Sequence, residues 1–177
     1  MIKKIVFFST VLLIGLTSIA QAEEGYSCEQ RDDKEYCVDE KNKPYTGKIR
    51  KRNTNGSYIS IKNYKQGYAD GLATYFTHDG KLKERVYYKQ GVKNGMDKLY
   101  YENRTIRATV RYKDGLLHGR QTFYTNDGKL LGRADYENGK ILRAQCILNK
   151  ENRIIKKDWS NEELKSVAEN QLIRCED

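Results

Sequence analysis

Histidine is nearly missing from this sequence, with His78 and His118 the only two. Each sits among turn-forming residues with no positioned partner, so general acid–base chemistry has nothing to work with. Ser57, Ser60, Ser160 and Ser166 lie outside any nucleophile-elbow context. The glycines are too widely spaced, and too interleaved with strand-like segments, to form a phosphate loop. The residues therefore point away from an enzyme and call for no cofactor. Cysteine is also sparse, at four. No histidine or further cysteine lies near Cys28 and Cys37 or near Cys146 and Cys175, which leaves no ligand set for a metal.

Long apolar runs are confined to the first residues. Lys3 and Lys4 precede an apolar stretch from Ile5 to Ile19, and Ala20-Gln-Ala22 fits a small-x-small cleavage site. That run is short for a membrane span and no second one follows. Residues 1–22 are expected to be a cleaved signal peptide. With no cysteine at the cleavage point, a lipid anchor there is not expected, and the protein is expected in a bacterial periplasm or secreted. Removing two of the 33 basic residues leaves 31 against 24 acidic ones, a mature charge of +7. In an exported chain, four cysteines read as two disulfides, with three pairings open. Asp32-Asp33 lies midway between Cys28 and Cys37, so a two-residue turn there would set the pair face to face. Cys28–Cys37 is the favoured bridge, leaving Cys146–Cys175.

Apolar residues make up only 38% of the chain, which has one proline against 14 tyrosines. That balance suits a thin sheet with partly wet faces, where a Tyr ring packs while its hydroxyl stays solvated. The tyrosines are not scattered. Tyr64-Lys-Gln-Gly67, Tyr88-Lys-Gln-Gly91, Tyr112-Lys-Asp-Gly115 and Tyr136-Glu-Asn-Gly139 recur every 24 residues. A second glycine follows at Gly71, Gly95 and Gly119, and a third marker at Gly80 and Gly128, with Arg104 in the middle copy. A fixed period of this length is the mark of a repeat architecture.

This pattern, Tyr-x-x-Gly-x-x-x-Gly followed by an aromatic pair and Asn/Asp-Gly, resembles the MORN repeat over residues 40 to 156. It is nearest to the bacterial variant found in proteins described as antitoxin-like repeat proteins. The resemblance implies a hairpin-repeat scaffold and suggests an antitoxin or immunity role against a toxin reaching the periplasm. Related modules are also implicated in membrane association.

Within each copy, Leu82, Glu84, Val86 and Tyr88 alternate with Lys83, Arg85 and Tyr87, and the next two copies repeat the alternation. That is the signature of a half-buried strand. The second strand ends in adjacent large residues such as Tyr75-Phe76, which must point to opposite faces. Asp79-Gly80 and Asp127-Gly128 predict hairpin turns, and Arg104 predicts a strained or differently shaped one. Asp70, Asn94 and His118 share a polar column expected to form turns. The repeated tyrosines Tyr64, Tyr88, Tyr112 and Tyr136 are expected to be structural, stacked between hairpins.

The expected fold is all-β: an elongated antiparallel meander of β-hairpin repeats closed by one C-terminal α-helix. Residues 23–39 form a disulfide-stapled hairpin capping the first edge, residues 40–156 the repeat sheet, and residues 157–177 a capping helix. The helix expectation rests on Ser160 and Glu163 as a capping box, and on Leu164, Val167, Ala168, Leu172 and Cys175 sharing one face. Lys83, Arg85, Arg107, Arg111 and Arg133 form a candidate binding face opposite the Leu/Val/Tyr columns. Two functions compete: a non-catalytic module binding another protein on the sheet, and an envelope module binding anionic lipid or cell-wall polymer. Nucleic acid is not an expected partner, and nothing in the sequence sets the oligomeric state.

Overall fold

A computed structural model describes residues 25–150 and 153–158. The expected signal peptide lies outside the described residues, as does the expected helix beyond Asp158. Lys157 and Asp158, assigned from sequence to the helical cap, belong instead to the last strand.

The described chain is all β. In order, the strands are β1 (Tyr26–Arg31), β2 (Lys34–Asp39), β3 (Gly47–Arg52), β4 (Tyr58–Lys65), β5 (Tyr68–Phe76), β6 (Leu82–Lys89) and β7 (Val92–Tyr100). They continue with β8 (Ile106–Lys113), β9 (Leu116–Leu117), β10 (Gly119–Tyr124), β11 (Leu130–Glu137), β12 (Lys140–Lys150) and β13 (Arg153–Asp158). From β3 onward each strand pairs antiparallel with the next; the short β9 continues into β10, and both pair with β8. The result is the expected meander.

Two kinds of turn alternate. At the Tyr-x-x-Gly end both central residues take positive φ, as at Gln66 (51°) and Gly67 (85°). This two-residue geometry matches the twist of the flanking strands. At the opposite end only the third loop residue is left-handed, as at Gly80 (80°), with the Thr77 N–H bonded to the Lys81 carbonyl at 2.8 Å. Arg104 takes φ 68° in the same place and makes the matching bonds. The middle turn therefore keeps its shape, and its arginine carries the left-handed strain.

The Tyr-x-x-Gly turns also join the repeats. Gly67 donates to the Tyr45 carbonyl, Gly91 to Ala69, Gly115 to Lys93 and Gly139 to Leu117, all at 2.8–2.9 Å. Each turn thus hooks onto the chain 22 residues before it, which explains why the glycines recur without slippage.

The β1–β2 hairpin turns at Asp32 (φ 46°) and Asp33 (φ 61°), setting Cys28 opposite Cys37 in a disulfide with Cα atoms 4.0 Å apart. Cys146 is also disulfide-bonded; its expected partner, Cys175, lies outside the described residues. The hairpin does not pair with the first edge as expected, because among the described strands β3 pairs with β4 alone. Instead β2 crosses to β5 through Tyr36 opposite Tyr68, and the Cys37 N–H reaches the Gly67 carbonyl. It therefore closes over one face of β3–β5, where Cys37 and Ile49 are buried.

Candidate functional site

The pairing separates the two faces of the sheet. One face carries Ala73, Val86, Asp97 and Val110 across neighbouring strands, then Ala108, Phe123, Ala134, Ala144 and Cys146. All nine are buried, and this is the inner face. Its C-terminal half is mostly apolar, with Leu117 and Tyr136 in the same cluster and the amide of Gln121 buried beside them. Each fully buried aliphatic side chain here contributes about 1.5–3 kcal/mol.

The N-terminal half of the inner face is charged. Glu35 of β2 accepts from Lys51 Nζ at 2.7 Å, Lys62 Nζ at 2.7 Å and the Tyr64 hydroxyl at 2.5 Å. Burial alone would raise its pKa, but these three donors outweigh that and hold it at about 2. Further along, Lys93 Nζ lies 2.7 Å from Glu84 and 2.9 Å from Asp97. Burial pushes Asp97 up to about 6, with Lys93 opposing and Glu84 reinforcing the rise. The two carboxylates more than offset the effect of burial on Lys93, whose pKa is raised. The Asp97 side chain is only 2% exposed, and its Oδ1 has no hydrogen-bond partner among the described residues. Tyr75 and Tyr88 share a hydroxyl–hydroxyl contact at 3.0 Å beside this cluster, and Lys93 lies 5.0 Å from the Tyr112 ring centre. The repeated tyrosines are thus inner-face side chains, and Tyr64 and Tyr136 are almost fully buried.

The outer face is where the expected basic residues lie. Lys83, Arg85, Arg107, Arg111 and Arg133 are all exposed, and none forms an ion pair with another described residue. They do not form one row. Arg85 is opposite Lys98, and Arg133 continues that row past Thr109 and Thr122. Lys83 and Arg107 are the extra residues of equivalent β-bulges, which aim a side chain out of the ladder. Arg111 is opposite Met96 in a third row. Lys98, which the sequence reading passed over, completes the patch. Further along, Arg120 and Arg143 share the Asp135 carboxylate, at 2.9 and 2.5 Å.

Asp70, Asn94 and His118 do not form turns. Each stands just before a glycine of positive φ, Gly71 (96°), Gly95 (115°) and Gly119 (75°), and two of them bond toward the next turn: Asp70 Oδ2 accepts the Gln90 N–H at 3.3 Å, and Asn94 Nδ2 donates to Asp114 Oδ1 at 2.9 Å. This second glycine makes room for a neighbour. A Cβ on Gly95 would come within 3.3 Å of Tyr87 Cβ. Tyr87 closes one side of an open groove of about 660 Å³ that also meets Lys65, Gln66, Lys89 and Gln90. His78 lies in the β5–β6 loop and His118 between β9 and β10, so the topology sets β6–β8 between them. Cys28, Glu35 and Cys37 come close enough to hold an ion, but the two sulfurs are bonded to each other and Glu35 already accepts from three donors.

Residues 69–90 and 117–138 match the model of the MORN repeat variant. Both stretches run from the second strand of one hairpin to the turn of the next, so the match covers the elements that carry the period. Among curated proteins, none matches the chain. Among solved structures, a chain in the crystal structure of the GtfA/B complex aligns at 16% identity. The alignment covers 70% of this chain and 21% of that one, with a TM-score of 0.27, too loose a likeness to carry an argument.

Proposed function

We infer that this is a non-catalytic, exported repeat protein that binds another protein, one presenting an acidic surface, on the outer face of its sheet. The observation that carries the reading is the division of labour between faces. The inner face spends its charges on one another, through Glu35 with Lys51 and Lys62 and through Lys93 with Glu84 and Asp97. The outer face leaves Lys83, Arg85, Lys98, Arg107, Arg111 and Arg133 without acidic partners among the described residues. Such a field speeds encounter with an acidic partner and disfavours basic ones. The exposed ring of Tyr87, at 48%, adds the kind of apolar contact that anchors protein interfaces. An antitoxin-like immunity role, with a periplasmic toxin as partner, is the specific form of this function that the repeat resemblance favours.

A second reading, attachment to anionic lipid or cell-wall polymer, draws on the same unpaired charges. The two separate on salt. A pull-down from envelope and secreted fractions, with the mature protein as bait, should retain one protein at both low and high salt. Lipid or polymer retained only at low salt would transfer the assignment to the second reading, because purely electrostatic attachment is screened. Retention of nothing at either salt would overturn both.

A further inference from the structure

The basic outer face is not flat throughout. Beside β6 it sinks into the groove whose wall is the Tyr87 ring, lying against Gly95 where any side chain would crowd it. Lys65 and Lys89 stand on its rim at the ends of successive Tyr-x-x-Gly hairpins, both exposed and without an acidic partner among the described residues. Gln66 and Gln90 follow them, their side-chain amides making no hydrogen bond to a described group. The lining holds one carboxylate, Asp70, and that is engaged by the Gln90 backbone N–H. The groove is therefore net cationic, aromatic on one side, and supplied with free amide donors and acceptors. It is also continuous with the basic face, since Arg85 lies two residues from Tyr87 on the same strand and faces the same way.

The equivalent column in other repeats holds Asn63, Arg111 and Asp135. Of these, Arg111 offers no aromatic surface and Asp135 is tied to two arginines. The ring-walled recess thus belongs to one repeat junction.

The geometry points to this groove as the anchor for an extended acidic segment of the partner protein. The segment's carboxylates pair with Lys65 and Lys89, an apolar side chain packs on Tyr87, and its backbone bonds to the amides of Gln66 and Gln90. Two strand spacings separate the lysines, about 10 Å, which an extended chain spans in about three residues. A lipid surface meets the flat basic rows but cannot enter a recess. This inference rests on the reading that the partner is a protein with an acidic surface, and it adds where that protein is held.

The test is a titration of the ¹⁵N-labelled mature protein, disulfides intact, with an acetylated hexaglutamate peptide, and in parallel with vesicles containing anionic phospholipid. The expected result is peptide-induced shifts centred on the amides of Gln66, Gly67, Tyr87, Gln90 and Gly95. Binding should weaken by about tenfold or more in Lys65→Glu/Lys89→Glu and change by less than about twofold in Lys129→Glu/Lys140→Glu, exposed lysines beside β11 and β12 and away from the groove. All four residues are exposed, so an unchanged spectrum of each free variant certifies its fold. Shifts centred on β8 and β11, or a Lys65→Glu/Lys89→Glu protein that binds as wild type, would overturn the groove while leaving the acidic-partner reading in place. Response to vesicles alone would overturn both, and no response to either probe would overturn the groove, with the pull-down judging the wider reading separately.

Discussion

Replacing Asp97 with asparagine should remove a pH dependence of stability that the wild-type protein carries between about pH 4 and pH 6. Burial raises the Asp97 carboxyl from its ordinary 3.8 to about 6. The folded chain therefore holds that proton more tightly than the unfolded chain does. The associated stability is greatest below 3.8 and is lost as the pH rises through about 6. Holding that proton from 3.8 to about 6 is worth roughly 3 kcal/mol. Glu84 and Lys93 share the charge, so the loss belongs to the cluster rather than to one atom. Glu35 works in the opposite direction. Held at about 2 against an ordinary 4.5, it contributes roughly 3 kcal/mol above pH 4.5 that disappears as the pH falls toward 2. Together the two give a stability maximum near pH 4 to 5. Urea unfolding followed by far-ultraviolet circular dichroism at half-unit pH steps measures this directly. In Asp97→Asn the loss above pH 4 should vanish while the acid limb set by Glu35 persists. Equal wild-type stability at pH 4.5 and pH 7, or an unchanged slope in the variant, would refute the reasoning.

Three further outcomes follow from the backbone. Gly67→Ala should cost at least about 3 kcal/mol in urea unfolding, because φ is +85° and the new Cβ would lie 2.3 Å from the Tyr36 ring. Arg104→Gly should stabilise by about 1 kcal/mol in the same assay, since sister repeats place Gly80 and Gly128 where this arginine holds φ 68°. Cys28→Ser should lower stability by about 2–3 kcal/mol, the loss expected for a bridge closing so short a loop. Reducing agent should leave that variant less affected than wild type.

The period, the turns and the outer strand face were legible because each is written locally. Alternation in Leu82–Tyr88 assigns the faces, and Asp32-Asp33 midway between two cysteines announces a hairpin. The path of that hairpin was not legible. Nothing local says that β2 abandons the edge of β3 and crosses to Tyr68; that depends on Gly67 offering a bare surface to Tyr36. The charged inner cluster was half legible. Glu84 stood out as an exception in its column, and its companions carried a signal of the same kind. Lys93 replaces Ala69 and Leu117 of the sister repeats, and Asp97 replaces Ala73 and Gln121. Three charges of mixed sign in inner columns of a single repeat predict a buried ion cluster. The basic residues were found, but their spread over three rows required the bulges at Lys83 and Arg107, which periodicity does not reveal. Asp70 and Asn94 looked like turn formers because their bonding partners lie 20 residues away.

The central claim is that recognition belongs to the outer face while the inner face only holds the fold. The most direct measurement compares partner capture from envelope and secreted fractions by the wild-type mature protein and by Arg85→Glu/Arg107→Glu/Arg133→Glu, with circular dichroism certifying that both are folded. The account predicts that wild type retains its protein partner at high salt and that the triple variant loses it. A folded triple variant that captures the same partner as well as wild type would contradict the account and move recognition off this face.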